Sequence, residues 1–328
     1  MTRPDPSTLV LRPMQDADWP AVEAGYAHSF MDCRAPQVWD WRFRRHDPQA
    51  WCGWVAVSPE GELACFIGAS AHRLWLAGQE AQVLVARDHY SLPAWRVGVR
   101  QTPFVRTEHA FHAHAATSAR LCLGMGLDRR VRRGAALGVN TVYTSGQWLQ
   151  IQLPRAVDRP GCSLQVRSTH FDEPGWDRLW AHRRQRTPLS LVRDREFLAW
   201  RFHDAQGRTY WRFALHSLAQ PDPLGYLVLT PQGPNQAVLV DAALPVAPQQ
   251  VRDALAQVAQ WLARLGVHHI LSFMGPACPE FGLLRAAGFT PTPPPQPVLP
   301  VYRLYQPLPD GLDFERDYAF TLADSDLY

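Results

Sequence analysis

The tripeptide Trp41-Arg42-Phe43 recurs in the second half of the chain as Trp200-Arg201-Phe202. Each copy precedes a tryptophan-bearing strand pattern, a turn with proline and a second strand pattern. A second echo relates Val83–Asp88 to Val238–Asp241, each an apolar run closed by an aspartate. Because the residues and the order of elements recur together, the sequence predicts an internal duplication with two homologous halves.

The length of the chain agrees with two domains, since 328 residues suffice for two cores of roughly 150 residues each. The segment Pro154–Gly161 contains two prolines and a glycine, which is typical of a linker. We therefore predict an N-terminal lobe of residues 1–156 and a C-terminal lobe of residues 157–328.

Hydrophobic patterns in the first half predict antiparallel strands followed by helices. Strands are expected at Leu9–Leu11, Trp51–Val57, Leu63–Ala69 and Gln82–Arg87, and helices at about Thr102–Ala116 and Ser118–Gly124. The predicted fold class is α/β, with two tandem lobes that each contain a mixed, mostly antiparallel sheet flanked by helices.

Composition argues against several functional classes. All 33 basic residues are arginines, but the net charge is only +3 and the richest basic run, Asp128–Arg133, contains its own acid, so no nucleic-acid partner is expected. The six cysteines form no CxxC pair, and His112 and His114 are two apart on a predicted helix, so we expect no metal site. No apolar run reaches the roughly 18 residues of a membrane span, and Met1–Thr8 is polar, so we expect a cytoplasmic protein without a membrane partner.

The stretch Leu9–Val22, an arginine-ended strand followed by acidic residues and a helix, resembles the opening of GNAT (Gcn5-related N-acetyltransferase) proteins. In the second half, Asp241 at a strand end, the helix Pro248–Leu265, the strand His268–Phe273 and the turn Leu283–Phe289 resemble the end of the same fold.

Two further stretches, Trp176–Phe202 and Tyr318–Asp326, resemble a bacterial branch of tandem GNAT proteins. The resemblance covers nearly the whole chain. It implies that acyl-CoA binds where two neighbouring strands separate, with its pyrophosphate at the N-terminus of a helix.

The resemblance also implies a phosphate loop of the form Pro-x-x-Arg-Gly-x-Gly-Ile. Here the matching stretch is Pro93–Val99, where one glycine position holds valine and one residue is missing. Two lost amide contacts would weaken acyl-CoA binding about 10²-fold to 10⁴-fold, unless flanking arginines contact the phosphates instead. Because Leu244–Val251 has neither the glycines nor an arginine, the first lobe is the expected binding lobe. The candidate cofactor-binding residues are Tyr90, Ser91, Arg96, Val97, Gly98, Val99 and Arg100.

Acyl transfer to an amine requires a base, because deprotonating a lysine-like amine at pH 7 costs roughly 4.6 kcal/mol. Asp88 and His89 stand at the end of the candidate cofactor strand and are the candidate bases. In many GNAT proteins a closing motif Leu-Tyr-x-x-x-Gly-Phe supplies a tyrosine as general acid. The matching stretch here is taken as Leu121–Leu127, which puts Cys122 in the tyrosine place, while the second half has Leu284 there.

The function predicted from these residues is acyl-CoA-dependent N-acyltransfer, with acetyl as the expected acyl group. The acceptor would be a small amine, an amino sugar or a peptide. Two alternatives stay open at this point: a catalytically silent protein that binds a ligand or partner in a biosynthetic pathway, and transfer from a carrier-protein thioester. The oligomeric state does not follow from the sequence.

Overall fold

The computed structural model describes residues 5–44, 51–96, 102–153, 164–203, 207–325 and 327–328. Its contacts divide the chain into two compact units. Unit 1 comprises the chain up to Arg73, Ala81–Tyr143 and Pro297–Pro307, and unit 2 comprises Leu74–Glu80, Thr144–Gln296 and Leu308–Tyr328. The boundary predicted between residues 156 and 157 lies outside the described residues.

The strands, in chain order, are β1 (Val10–Pro13), β2 (Trp51–Val57), β3 (Leu63–Leu76), β4 (Gln79–Ser91), β5 (Leu121–Leu127), β6 (Thr141–Val142), β7 (Gln147–Gln152), β8 (Leu164–Ser168), β9 (Leu189–Leu191), β10 (Trp211–Ser217), β11 (Pro223–Pro231), β12 (Gln236–Ala243), β13 (His269–Met274), β14 (Thr290–Pro291) and β15 (Val298–Leu304). The α-helices are α1 (Trp19–Phe30), α2 (Pro36–Trp39), α3 (Pro103–Ala115), α4 (Asp128–Ala136), α5 (Gly175–Arg183), α6 (Arg195–Arg201), α7 (Pro248–Arg264), α8 (Pro279–Ala286) and α9 (Phe314–Asp317). A π-helical turn, Asp40–Arg44, follows α2.

The two sheets have the same architecture, as the repeated sequence predicts. The unit 1 sheet has the order β1-β2-β3-β4-β5-β15-β6, and the unit 2 sheet has the order β8-β10-β11-β12-β13-β7-β14. In each sheet one pair is parallel, β4 with β5 and β12 with β13, and the other pairs with described register are antiparallel. The predicted fold class is therefore confirmed.

Two strands belong to the unit opposite the one that their place in the chain suggests. β15, from the second half, pairs antiparallel with β5 along its whole length in unit 1. β7, which precedes the predicted boundary, pairs in the same way with β13 in unit 2. Each therefore takes the corresponding place in its sheet. The tip of the β3–β4 hairpin, Leu74–Glu80, belongs to unit 2, where its first residues pair with β9.

Helices cover both faces of the unit 1 sheet. On one face, Phe111 and Ala115 of α3 pack against apolar residues of β3, β4 and β5. On the other face, Trp19 of α1, Trp39 of α2 and Phe43 of the π-helical turn pack against β2 and β3. The chain thus buries the aromatic residues of the repeated tripeptide. Within the described ranges, no helix combines the length and the apolar composition that crossing a membrane requires.

The helix expected at Ser118–Gly124 is wrong, because Leu121–Leu127 forms the strand β5. A short apolar run fits a buried strand and a buried helix equally well by its pattern. Tertiary pairing makes this run a strand, because β5 lies between β4 and β15 in the sheet. The partner β15 comes from the far end of the sequence.

His112 of α3 contacts the chain just after β15, and this contact has a testable consequence. Its Nδ1 is hydrogen-bonded to the hydroxyl of Tyr305, just after β15, at 2.7 Å. Burial, and then the positive charge of Arg303, lower the pKa of His112 to about 3. The unfolded chain therefore binds a proton between pH 6.5 and 3 that the folded chain does not bind, so the stability of unit 1 should fall as the pH falls through this range.

We expect the contribution of His112 to be about 1.4 kcal/mol per pH unit within that window. Urea unfolding of the wild type and of His112→Gln at pH 7, 6 and 5 measures it. The variant should show the shallower pH dependence, and identical slopes would contradict the burial of a neutral imidazole at this position.

Candidate functional site

The parallel strands of unit 1 separate partway along their length. Pairing joins Val83–Val85 of β4 to Leu121–Leu123 of β5 and then ends, although both strands continue. We call the gap between Ala86–Ser91 and Gly124–Leu127 the unit 1 cleft. A Cβ atom added at Gly124 would lie 3.2 Å from the Cβ of Ala86, so the strands are still close where the cleft begins.

The backbone of β4 is irregular at the same place. Asp88 has a left-handed backbone with φ of 57°, which aspartate tolerates better than most residues. In unit 2 the register between β11 and β12 shifts between Leu239 and Asp241, so Val240 is the extra residue there. Bulges interrupt strand pairing and redirect side chains. The recurring aspartate of the sequence therefore lies at a backbone irregularity in both units, a left-handed residue in unit 1 and the end of a bulge in unit 2.

The Asp88 carboxylate is held between two arginines. Arg34 donates to Oδ2 at 2.6 Å, and Arg42 donates to Oδ2 at 2.9 Å and to Oδ1 at 3.1 Å. Burial by itself raises the pKa of Asp88, but the charges of Arg42 and Arg34 outweigh it and the pKa lies below its usual value. Asp88 is thus a carboxylate with little tendency to take up a proton.

His89 belongs to a different group of side chains. Its Nε2 lies 3.0 Å from the carbonyl oxygen of Gly68, and its Nδ1 lies 3.4 Å from Oε1 of Glu108 on α3. The ring packs near Phe104 and Phe111 of the same helix. Because the Gly68 carbonyl can only accept, the proton of a neutral imidazole is best placed on Nε2. The Nδ1 lone pair then faces the Glu108 carboxylate.

Two arginines lie at the edge of the unit 1 cleft. Arg130 of α4 donates to the carbonyl oxygen of His89 at 2.9 Å, and Arg96 donates to that of Ser91 at 2.9 Å. Arg130 is exposed as a whole, but desolvation around its guanidinium, followed by the nearby charge of Arg96, lowers its pKa against the opposing effect of Glu108. Arg130 also lies over the ring of Phe104 at 5.2 Å, near the start of α3. The edge of the cleft therefore concentrates positive charge beside a helix N-terminus, which favours an anionic ligand.

The remaining predicted binding residues have different surroundings. Tyr90 is buried and its hydroxyl donates to the carbonyl oxygen of Val22 at 2.5 Å, so it packs α1 against the sheet. Ser91 is buried at the end of β4, and its carbonyl oxygen accepts the bond from Arg96. The predicted residues Val97, Gly98, Val99 and Arg100 lie outside the described residues.

The placement of Cys122 on a closing helix is wrong. Cys122 lies in β5, opposite Leu84 and Arg303, with its thiol in the apolar core. The turn that corresponds to Leu283–Phe289 follows α4 instead: Val139 N donates to the Gly134 carbonyl just as Phe289 N donates to the Leu284 carbonyl. Gly134 therefore holds the tyrosine place in unit 1, so neither unit has a proton donor there.

Unit 2 has a corresponding separation of strands, which its own chain occupies. Pairing of β12 with β13 ends at Leu239 and Ser272. The segment Tyr318–Ser325, here called the C-terminal segment, contacts the ends of both strands. Gly275 N donates to the Phe320 carbonyl at 2.8 Å, and the Thr321 hydroxyl donates to Asp241 at 2.9 Å. All eight residues of the segment are buried.

The polar side chains around this segment are paired with one another. Arg193 donates to Asp241 at 3.0 Å and also bonds Asp324 of the C-terminal segment. Tyr226 donates to Asp241 at 2.8 Å, and Arg183 bonds both Tyr226 and Glu280. The separation in unit 2 is thus closed by a buried ionic network. In the part of the chain that the structure describes, no group of three or more His, Cys, Asp or Glu is arranged to hold a metal ion.

Sequence comparison gives no relative, since neither a protein-family model nor a curated protein matches the chain. Solved structures do match. A conserved protein of unknown function from Enterococcus faecalis V583, described as a probable N-acyltransferase, has a TM-score of 0.66 at 12% identity, over 91% of this chain and 73% of that one. Saccharomyces cerevisiae N-myristoyltransferase with bound myristoyl-CoA has a TM-score of 0.57 at 10% identity, over 96% and 89%.

A third structure is the tandem GNAT protein from the clavulanic acid biosynthesis pathway, with a TM-score of 0.55 at 14% identity, over 91% of this chain and 99% of that one. Identities this low establish the fold and nothing finer. Together with the duplicated sheets and the parallel strands that separate at corresponding places, they show that this chain has the tandem GNAT fold.

Proposed function

We propose that unit 1 transfers an acyl group from acyl-CoA to an amine. The observation that carries the proposal is the contrast between the units: the strands separate in both, but the C-terminal segment of the chain takes up this position in unit 2. The structural neighbours include proteins described as acyltransferases, and one contains myristoyl-CoA, which supports an acyl thioester as the donor.

The residues around the unit 1 cleft fit such a donor. Arg96 and Arg130 suit its phosphates, because guanidinium groups form charge-assisted hydrogen bonds with phosphate oxygens. Both arginines donate to backbone carbonyl oxygens in this structure. A bound phosphate would take the place of those carbonyls as a charged acceptor. The closeness of Ala86 to Gly124 leaves little room at the closed end of the cleft, which supports a short acyl group such as acetyl.

The proposed chemistry is attack of a neutral amine on the thioester carbonyl, with formation of the C–N bond and loss of the CoA thiolate. His89 and Glu108 are the proposed proton acceptor for the amine, because the Nδ1 lone pair and the carboxylate face each other 3.4 Å apart at the cleft. Asp88 is assigned a positioning role, since its two arginines keep it ionised. The buried thiol of Cys122 lies outside the proposed proton-transfer group.

The contribution of the arginines is measurable by calorimetric titration with acetyl-CoA. We expect Arg96→Ala or Arg130→Ala to weaken binding about 10-fold to 150-fold, because each removes a charge-assisted contact worth about 1.5 to 3 kcal/mol. The affinity of the wild type should also fall as salt is added.

Arg129→Ala is the matched control, because Arg129 is next to Arg130 on the same helix and is likewise exposed. It should change the affinity less than two-fold. Equal affinities for all three variants would show that Arg96 and Arg130 do not contact acyl-CoA. Absence of any acyl-CoA binding by the wild type would favour the alternative of a silent protein with the GNAT fold.

A further inference from the structure

Arg34 and Arg193 occupy corresponding positions in the two halves. Each stands seven residues before the tryptophan of the repeated tripeptide, and each precedes by two residues the start of a helix, α2 or α6. Each also bonds the recurring aspartate of its unit, Asp88 or Asp241. The contacts of Arg193 in unit 2 therefore indicate which kind of ligand Arg34 is suited to bind in unit 1.

In unit 2, Arg193 binds two carboxylates. Its Nε donates to Asp241 at 3.0 Å, and its NH2 group bonds Asp324 and the Thr321 hydroxyl, the latter at 3.2 Å. The second carboxylate comes from the C-terminal segment, which lies where the strands separate. Both acids and the arginine are almost fully buried, so the second carboxylate is held inside the unit.

In unit 1, Arg34 binds one carboxylate. Its NH1 donates to Asp88 at 2.6 Å, and its guanidinium lies 3.8 Å from the centroid of the Tyr26 ring. Asp88 also accepts hydrogen bonds from Arg42. The nearest acid along the chain, Asp32, accepts a hydrogen bond from Tyr26 instead. Within the described residues, no segment of unit 1 brings Arg34 a counterpart of Asp324.

We propose that the second carboxylate of unit 1 comes from the substrate: Arg34 binds a carboxylate of the amine acceptor, which is an amino acid or another amine that carries a carboxylate. The inference rests on the proposed function and narrows its acceptor class. Arg34 is suited to this role because its side chain is 15% exposed, whereas that of Arg193 is 3% exposed. A guanidinium also binds a carboxylate through paired hydrogen bonds.

The position agrees with the proposed chemistry. Asp88, which Arg34 bonds, is followed directly by His89, whose ring lies against α3. Arg34 instead packs on Tyr26 and Trp39 of the helices that cover the opposite face of the sheet. The unit 1 cleft opens between these two faces. A carboxylate held at Arg34 therefore places an acceptor on one side of the cleft, with the donor on the side of Arg96 and Arg130.

The test measures acetyl transfer by the full chain to paired acceptors: free amino acids, amino acid amides and the corresponding decarboxylated amines. We expect kcat/KM for the preferred acids to exceed that for their amides about 10-fold to 150-fold, the value of one charge-assisted contact. Arg34→Gln should abolish this preference, and Arg34→Lys should keep part of it. Arg12→Gln, which alters a different ion pair of unit 1, should leave the preference intact.

Calorimetry with acetyl-CoA separates this inference from the proposed function. Arg34→Gln should bind acetyl-CoA as tightly as the wild type, which also shows that the variant is folded. Equal acetylation of the amides and the acids would overturn the carboxylate site. So would a wild type that binds acetyl-CoA but transfers the acetyl group only to amines without a carboxylate. Absence of acetyl-CoA binding by the wild type would overturn the proposed function itself.

Discussion

His89→Gln is expected to lower kcat for acetyl transfer about 10²-fold to 10⁴-fold, because it removes the nitrogen that accepts the proton of the amine. Glutamine keeps an amide that can donate to the Gly68 carbonyl, so the contact now made by Nε2 at 3.0 Å can persist. Acetyl-CoA affinity should therefore stay within about two-fold of the wild type. Single-turnover kinetics at saturating acetyl-CoA isolates the chemical step from binding.

His109→Gln provides the control, because His109 is an exposed histidine on the same helix as Glu108. It should leave kcat nearly unchanged. Glu108→Gln should reduce kcat in the same direction as His89→Gln, since it removes the charge that stabilises the protonated imidazole. An active His89→Gln variant with unchanged kcat would exclude the imidazole as the base.

Asp88→Asn is expected to destabilise unit 1 by about 3 to 5 kcal/mol. The substitution leaves Arg34 and Arg42 without their shared anion, and removing one partner of a buried pair has this order of cost. Chemical denaturation at pH 7 measures the effect. Asp128→Asn breaks the exposed pair with Arg132 in the same unit and should cost less than about 1 kcal/mol.

The stability difference between the wild type and Asp88→Asn should also depend on pH. The pKa of Asp88 is lowered in the folded state, so its contribution is present above the pKa of the unfolded chain, about 3.8. That contribution is lost as the pH falls through the folded-state pKa. The stability difference between the wild type and Asp88→Asn should therefore be constant near neutral pH and shrink in acid. A difference that grows in acid would contradict the ionised state of Asp88.

The duplicated architecture could be predicted from sequence because its signals are local. The repeated tripeptide and the aspartate that closes each apolar run are visible in the printed chain. The tripeptides lie in or at the end of helical segments, and the aspartates lie in the corresponding strands β4 and β12. The strand β2, the start of β3 and the helix α7 are likewise predicted near their observed bounds, whereas β3 continues to Leu76, beyond its predicted end at Ala69. These elements depend on periodicity and turn residues that lie close together in sequence.

The exchange of β7 and β15 could not be predicted in this way. Strand pairing between segments more than a hundred residues apart leaves no local pattern, and the same fact explains why β5 was taken for a helix. The mistaken position of the closing turn followed from that error. The observed turn after α4, Gly134–Val139, has the same glycine spacing as Leu284–Phe289, a signal that the sequence does contain.

The candidate site combines predicted and unpredicted residues. His89 is predicted from its place at the end of the cofactor strand, and Arg96 from the phosphate loop that the resemblance to GNAT proteins implies. Glu108 and Arg130 were missed, because they come from helices whose packing brings them to β4. Arg34 did have a signal, the equal spacing of Arg34 and Arg193 before the two tryptophans. Its meaning emerges only when the partners of both arginines are known.

The location of bound acyl-CoA is the most direct test of the central claim, that the donor binds in unit 1 and that unit 2 is closed by its own chain. A crystal structure of the full chain with a non-hydrolysable acetyl-CoA analogue measures it. We predict the ligand between Ala86–Ser91 and Gly124–Leu127, with its phosphates at Arg96 and Arg130 and the C-terminal segment still in place in unit 2. A ligand bound at Ala242–Gln250, with that segment displaced, would contradict the account.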